Sequence, residues 1–194
     1  MGIIIEDGKG SGKKAHINKD NQLVTRATIA EQRLASTIDK NYYELSTGQI
    51  TITNDTEQGL IYLKNTTRSD LGIVIDRVFF DFWSSTGGTG GDITVGYYRN
   101  PTITGGTDIV PVSTNFGTPI LAVGDFKRNV TTMTGTRWWN MYSSDKASIA
   151  LEEGRIYLHP GNSFGIAMIP PTGNTSIKVN INIAFYYFDA TLIS

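Results

Sequence analysis

The sequence contains no cysteine and only two histidines among its 194 residues. Without cysteine the chain has no disulfide bond, no thiolate nucleophile and no zinc site built on sulfur. Charged residues make up only 18% of the chain, with 17 basic and 18 acidic side chains. A net charge of −1 provides no general attraction to nucleic acid or to an anionic membrane. We therefore expect partners of neither kind.

Long hydrophobic runs are also missing. The opening run Ile3–Ile5 is followed at once by Glu6 and Asp7, which is too short for a secretory signal. No stretch approaches the roughly 18 apolar residues of a membrane span. These features predict a protein that is made in a cytoplasm and carries no targeting segment.

Glycine and short alternating apolar runs dominate the chain from Thr47 onward. The clearest run, "TSIKVNINIAFYYFD", places Ile177, Phe185 and Tyr187 on one face and Lys178 on the other. Period-two alternation is typical of a half-buried strand, and many such strands separated by turn residues indicate a sandwich or barrel. We predict a mainly β protein: an antiparallel jelly-roll-like β-sandwich over residues 47–194, preceded by an extended N-terminal arm over residues 1–46.

One run, "GIVIDRVFFDFW", is apolar at both parities. Ile73 and Ile75 occupy one parity, whereas Val78, Phe80 and Phe82 occupy the other. This pattern predicts a central strand that is covered on both faces.

The glycine-rich opening "GKGSGKKAHINKDNQLVTRA" superficially resembles a phosphate-binding loop. With Gly12-Lys13 as the motif's end, however, Asp7 stands where glycine is needed and Lys14 where the metal-binding hydroxyl is needed. The spaced apolar residues instead favour a strap that lies on another protein by strand addition. For residues 29–39 two predictions remain as alternatives: a short helix, and an extended strand that is held by a partner. The predicted partner-binding residues are Lys13, Lys14, Ala15, Ile17, Leu23 and Val24.

The same segment resembles the opening of a group of tailed-phage virion proteins, which carry a "DGxGxGxxAxVxxxNxL" stretch and a "TGxITLT"-like entry into a β-domain. Here the matching positions are Asp7, Gly8, Gly10, Gly12, Ala15, Ile17, Asn21, Leu23 and Thr47–Thr51. The resemblance implies a structural protein of the virion that is made in the host cytoplasm. It implies no catalytic residues.

Candidate catalytic and metal-binding residues do not form a recognisable constellation. His159 has no nucleophile motif nearby, and Asp76 and Asp81 would point to opposite faces of a regular strand. Glu152 and Glu153 precede Gly154 and read as a solvated turn. Asp55 and Glu57 lack the repeated oxygen ligands of a calcium loop. We expect no enzyme, no cofactor and no metal.

Aromatic residues are the more informative candidates. In "TRWWNMY", Trp138 and Trp139 cannot both face the core of a regular strand, so at least one is expected at a surface or interface. Core packing, a subunit interface and a sugar-binding platform stay open as alternatives. In "AFYYFD" the inward Phe185 and Tyr187 leave the alternate residues for a second surface. The interface or glycan-contact candidates are Trp138, Trp139, Tyr142, Tyr186 and Phe188.

Together these features predict a non-enzymatic capsid decoration protein. We expect a homo-oligomer, a trimer by analogy with jelly-roll decoration proteins, whose arm binds the major capsid protein or another virion protein. The alternatives are a head-fibre or tail-tip protein that binds a host surface glycan, and a neck or baseplate attachment protein.

Overall fold

The computed structural model describes residues 16–17, 23–24, 42–53, 56–67, 71–84, 93–115, 121–143, 148–171 and 176–189. The chain divides into two compact units, Met1–Glu31 and Gln32–Ser194. In the first unit β1 (His16–Ile17) pairs antiparallel with β2 (Leu23–Val24). Of the predicted arm contacts, Lys13, Lys14 and Ala15 lie outside the described residues, as does the segment 29–39. No helix in the described ranges is long and apolar enough to cross a membrane.

The second unit is built from strands alone within its described residues. They are β3 (Tyr42–Ser46), β4 (Ile50–Ile52), β5 (Gln58–Lys64), β6 (Leu71–Ser84), β7 (Ile93–Thr104), β8 (Thr107–Asp108), β9 (Val112–Ser113), β10 (Asp125–Val130), β11 (Thr132–Ser143), β12 (Ser148–Leu158), β13 (Ser163–Ile169) and β14 (Ile177–Asp189). One sheet has the order β12-β6-β14-β3-β9, with β4 also on β14, and the other has the order β11-β7-β13-β5-β10-β8.

The pairing pattern is that of a jelly roll. The first long strand of the sandwich pairs with the last, β3 with β14, and the next pairs follow inward as β5 with β13, β6 with β12 and β7 with β11. Every one of these pairs is antiparallel. A long antiparallel hairpin rolled into two facing sheets produces this order, with β8 to β10 inserted between β7 and β11. The predicted fold class is confirmed.

The core lies between the two sheets, and β14 supplies the longest buried row. Ile177, Val179, Ile181, Ile183 and Phe185 are all fully buried, as the alternation in the sequence predicts. Removing such side chains from water contributes about 1.5–3 kcal/mol each. This row therefore holds the central strand of its sheet in one register, because a slip by one residue would expose all five side chains.

A β-bulge in β6 explains why both parities of this strand are apolar, and the outer face is covered as well where Val74 and Asp76 are buried. The register with β14 pairs Arg77 with Ala184 and then Ile75 with Phe185, which leaves Asp76 as an extra residue. An extra residue switches the inward parity of the strand. Ile75 points inward before the bulge and Val78 after it, so both apolar parities face the same core.

The sandwich includes five residues that the sequence analysis assigned to the arm. Tyr42–Ser46 form β3, which pairs with β14 on one side and with β9 on the other. Tyr43 and Leu45 are buried in the core. The strand was missed because only two inward residues mark it, and Glu44 stands between them at the end of a polar run.

The pair Thr47-Gly48, which begins the "TGxITLT"-like motif, forms the break between β3 and β4. Gly48 adopts a left-handed backbone with φ of 61°, which a side chain disfavours. The amide of Ile181 donates a hydrogen bond to Thr47 Oγ1 at 2.9 Å, and Arg128 Nη1 donates to the carbonyl of Thr47 at 2.6 Å. The threonine hydroxyl therefore satisfies a strand amide where backbone pairing is interrupted.

Candidate functional site

The tryptophan pair Trp138–Trp139 lies at a second β-bulge. In the register of β11 on β7, Arg137 pairs with Tyr98 and Trp139 pairs with Tyr97, so Trp138 is an extra residue. Neighbouring side chains point to opposite faces only in a regular strand. At this bulge the alternation is interrupted, so Trp138 and Trp139 can lie on the same face. Both indoles contact the ring of Tyr97, with centroid distances of 6.0 Å for Trp138 and 4.8 Å for Trp139.

Neither tryptophan is buried by these contacts. Trp138 remains 50% exposed and Trp139 40% exposed, and the two indoles stack on each other at 6.2 Å. Tyr142 does not join them. Its neighbour Met141 packs against the core, so Tyr142 points to the outer face of the sheet, where it is 68% exposed. The structure therefore places the three predicted aromatic residues on two different surfaces.

Tyr97, on which the tryptophan pair rests, is itself fully buried. Its hydroxyl has no hydrogen-bond partner within the described part of the chain. Burial raises the pKa of Tyr97 well above its ordinary value, so the hydroxyl stays protonated. A buried hydroxyl without a hydrogen-bond partner lowers the free energy of unfolding. The ring of Tyr97 therefore supports the two indoles by apolar contact, while its hydroxyl reduces the stability of the fold.

A cleft of about 280 Å³ opens beside Trp138. It lies between the last residues of β12 on one sheet and strands β7 and β13 on the other. Phe164 and Leu158 supply buried apolar surface, and Tyr98 and Ser163 are buried as well. The exposed residues Arg99, Asn100 and His159 form the polar rim. The polar and aromatic lining residues are Tyr98, Arg99, Asn100, Trp138, Tyr157, His159, Asn162 and Ser163.

Local backbone geometry orients one of these polar groups. Asn100 has a positive φ of 47°, and the amide of Ser163 donates to its Oδ1 at 2.8 Å. Because that oxygen accepts the bond, the Nδ2 group is left as a donor. The described residues that line the cleft include the cation Arg99 and no acidic side chain. The cleft is therefore rich in donors.

Tyr186 and Phe188 lie on the outer face of the other sheet, as their parity in β14 predicts. Tyr186 is only 7% exposed, because it stacks on Tyr42 at 6.2 Å with nearly parallel rings. The hydroxyl of Tyr42 donates to Asp76 Oδ2 at 2.7 Å. Tyr186 thus belongs to a buried cluster and does not offer the exposed surface expected of it, whereas Phe188 is half-buried.

The opposite side of the sandwich carries an aliphatic patch that the sequence analysis missed. It consists of four exposed side chains, with exposed fractions from 54% to 77%: Val110, Val112, Leu121 and Val123. Val110 lies between β8 and β9 and Val112 lies in β9, the two edge strands on this side, whereas Leu121 and Val123 lie just before β10. Ile109 and Ala122 point inward against the core, so their neighbours are turned outward.

A hydrogen-bonded clamp holds part of the aliphatic patch. The amide of Val123 donates to Tyr187 Oη at 2.7 Å, and that hydroxyl donates to the carbonyl of Val123 at 2.6 Å. Val112 in β9 pairs with Glu44 of β3. The sequence signal was the alternation in "DIVPVST" and "PILAV", which reads equally well as two ordinary half-buried strands.

The acidic candidates are not brought together. Because of the bulge, Asp76 and Asp81 lie on the same outer face rather than on opposite faces. They are five positions apart on one strand, about 16 Å at 3.3 Å per residue, which is too far for a glycosidase pair. Glu152 and Glu153 lie within β12 rather than in a turn.

The remaining candidates have structural partners or lie elsewhere. Glu57 forms an ion pair with Arg137 and accepts a hydrogen bond from Tyr98 Oη at 2.8 Å. Asp55 is outside the described residues. His159 is exposed and packs edge-on against Tyr157 at 4.5 Å. In the described ranges no group of three or more acidic, histidine or cysteine residues could hold a metal ion.

Among the predicted arm contacts, only Ile17, Leu23 and Val24 are described. Ile17 lies opposite Leu23 in the pairing of β1 with β2, so these backbones pair within their own unit. The predicted contact of the arm with a partner stays a prediction.

No protein-family model and no curated protein matches the chain. Among solved structures, it is similar to the derived T=1 particle of infectious bursal virus, with 11% identity and a TM-score of 0.19 over 78% of this chain and 41% of that one. A mutant VP2 protein of infectious bursal disease virus gives 11% identity and a TM-score of 0.17, over 79% of this chain and 41% of that one. The T13 particle of the same virus gives 13% and 0.16, over 79% and 40%. The chain thus spans about two fifths of the length of these proteins.

Proposed function

We propose that this chain is a non-enzymatic structural protein of a virus particle, of the capsid-decoration type. It assembles with further copies of itself through the sandwich and is fastened to the particle by the residues that precede β3. The observation that carries the proposal is the aliphatic patch, because four exposed aliphatic side chains on one side of a folded domain indicate an association surface. The resemblance of residues 7–51 to tailed-phage virion proteins supports the viral setting.

The assembly would gain its free energy from burial of the aliphatic patch. At about 25 cal/mol per Å² of apolar surface, even a modest contact offsets part of the entropy lost on association. A closed ring such as a trimer then presents several N-terminal segments at once. Weak individual contacts become firm attachment when several copies engage neighbouring sites on the particle.

A charge placed in the aliphatic patch tests the assembly. Val112→Asp is expected to yield a monomer in light scattering, because a carboxylate would have to be desolvated in the interface. Asn140→Asp, an exposed change on the edge strand β11, is the matched control and should leave the oligomer intact. A wild-type chain that is monomeric at high concentration would refute self-association, and so would a Val112→Asp variant that assembles normally.

A second candidate function is carbohydrate binding, at a head-fibre or tail tip. One observation favours it: the half-exposed indole of Trp138 lines a cleft whose rim carries several hydrogen-bond donors. Lectin domains also use jelly rolls. The two candidates place function on opposite sides of the sandwich, so one protein can serve both.

A further inference from the structure

The cleft beside Trp138 has the composition of a site for a small, acidic sugar. Its volume of about 280 Å³ lies just below the roughly 300–1,000 Å³ of most ligand clefts, which suits one ring rather than an extended chain. One wall is aromatic and the rim is polar. This combination of a flat apolar surface and a few oriented polar groups is what a pyranose ring requires.

Trp138 is held ready for such a contact. Tyr97 packs edge-on against it with an interplanar angle of 67°, and Trp139 stacks on it at 29°. Half of the indole nevertheless remains exposed. Because two neighbours fix the ring before a ligand arrives, little conformational entropy is lost on binding.

Arg99 determines the charge that the site prefers. Its side chain is exposed and forms no ion pair or hydrogen bond with any described residue. Arginine presents a planar fork of donors that matches a carboxylate. The neighbouring Asn100 Nδ2, the His159 ring and the Asn162 side chain add donors, and none of the described lining residues is acidic.

We propose that this cleft binds a single sugar residue that carries a carboxylate, with the sugar ring packed against Trp138 and the carboxylate held by Arg99. The proposal rests on the carbohydrate-binding candidate and names its ligand class. It is independent of the virion role, because the aliphatic patch lies on the opposite side of the sandwich.

The test is a nuclear magnetic resonance titration of the full-length chain with N-acetylneuraminic acid and glucuronic acid. Glucose and N-acetylglucosamine are the neutral comparisons, a sulfated N-acetylglucosamine is the other anionic sugar, and adenosine monophosphate is the non-sugar anion. We expect the carboxylated sugars to bind at least tenfold more tightly than the other probes, with shifts centred on Trp138, Arg99 and Asn162. A tenfold ratio is about the effect of one charge-assisted hydrogen bond.

Variants at two lining residues, with matched controls, locate the site. Arg99→Gln should weaken binding of the carboxylated sugars about tenfold, and Arg99→Lys should restore part of it. Trp138→Leu should abolish binding. The controls are Arg77→Gln, on the outer face with Glu44, and Trp83→Phe, on β6; neither residue lines the cleft. Both should bind as wild type, and thermal unfolding of each variant confirms that it is folded.

The outcomes separate the ligand class from the broader function. Equal binding of neutral and carboxylated sugars would overturn the role of Arg99 but leave carbohydrate binding in place. Tighter binding of the sulfated sugar or of adenosine monophosphate would overturn the choice of carboxylate. A failure of every sugar to bind would refute both the proposal and the carbohydrate-binding candidate, whereas self-association would be unaffected.

Discussion

The hydroxyl of Tyr187 bonds to both the amide and the carbonyl of Val123, a residue 64 positions earlier in the chain. Tyr187 belongs to β14, the last strand in the sequence. Val123 belongs to the segment inserted between β7 and β11, which carries the aliphatic patch. Burial raises the pKa of Tyr187 above its ordinary value, so the hydroxyl keeps its proton and donates as well as accepts. One side chain thus ties the proposed association surface to the core.

Removing this tie should loosen the segment without unfolding the protein. Tyr187→Phe is expected to lower the free energy of unfolding by about 0.5–1.5 kcal/mol, because water can reach the half-exposed Val123 and replace part of the lost bonding. Hydrogen exchange at residues 121–123 should accelerate, and self-association should weaken. Tyr142→Phe, at an exposed tyrosine, is the control that should change neither. Unchanged exchange in Tyr187→Phe would contradict the clamp.

The adjacent tyrosines Tyr97 and Tyr98 should respond in opposite ways to loss of the hydroxyl. Tyr97→Phe removes a buried hydroxyl that has no described partner, so stability should stay the same or rise by about 1 kcal/mol. Tyr98→Phe removes a donor to Glu57 and an acceptor of Arg137, so stability should fall by about 1–2 kcal/mol. Chemical denaturation of both variants checks this. A clear loss in Tyr97→Phe would show that its hydroxyl has a partner.

The hydroxyl group of Thr47 should contribute more to the stability of the fold than the volume of its side chain does. Thr47→Val keeps the shape but leaves the buried amide of Ile181 unpaired, which should cost about 1–3 kcal/mol in denaturant unfolding. Thr47→Ser keeps the acceptor and should recover most of that loss. If the two variants were equally stable, the bond to Ile181 would not be what holds the break between β3 and β4.

The N-terminal residues should be needed for attachment but not for folding. Deletion of residues 1–27 removes most of the first unit and none of the described strands of the sandwich. We expect a cooperative unfolding transition and a β-type circular dichroism spectrum close to those of the full chain. The truncated protein should not join the particle when it is produced during infection. Normal incorporation would remove the argument for a fastening segment.

The local pattern predicted much of the fold because most strands are regular. In β14 the apolar residues alternate over Ile177–Phe185, and burial follows the alternation except at Ala184, which is buried in the cluster on the outer face. The strand β3 was missed because a short strand with two inward residues depends on the neighbours that cover it. Of the site, the sequence singled out Trp138 but had no means of placing Arg99, Asn162 and His159 around it, since they come from separate segments.

By itself the sequence determined the β class, the inward face of the regular strands and the polar, glycine-spaced character of the first residues. Each of these follows from residue type and a fixed period of two. Only the tertiary structure decided where that period breaks, as it does at Asp76 and Trp138, and which strands form the edges. A bulge is defined by the register of a partner strand, and exposure at an edge is defined by topology, so neither is a property of the local sequence.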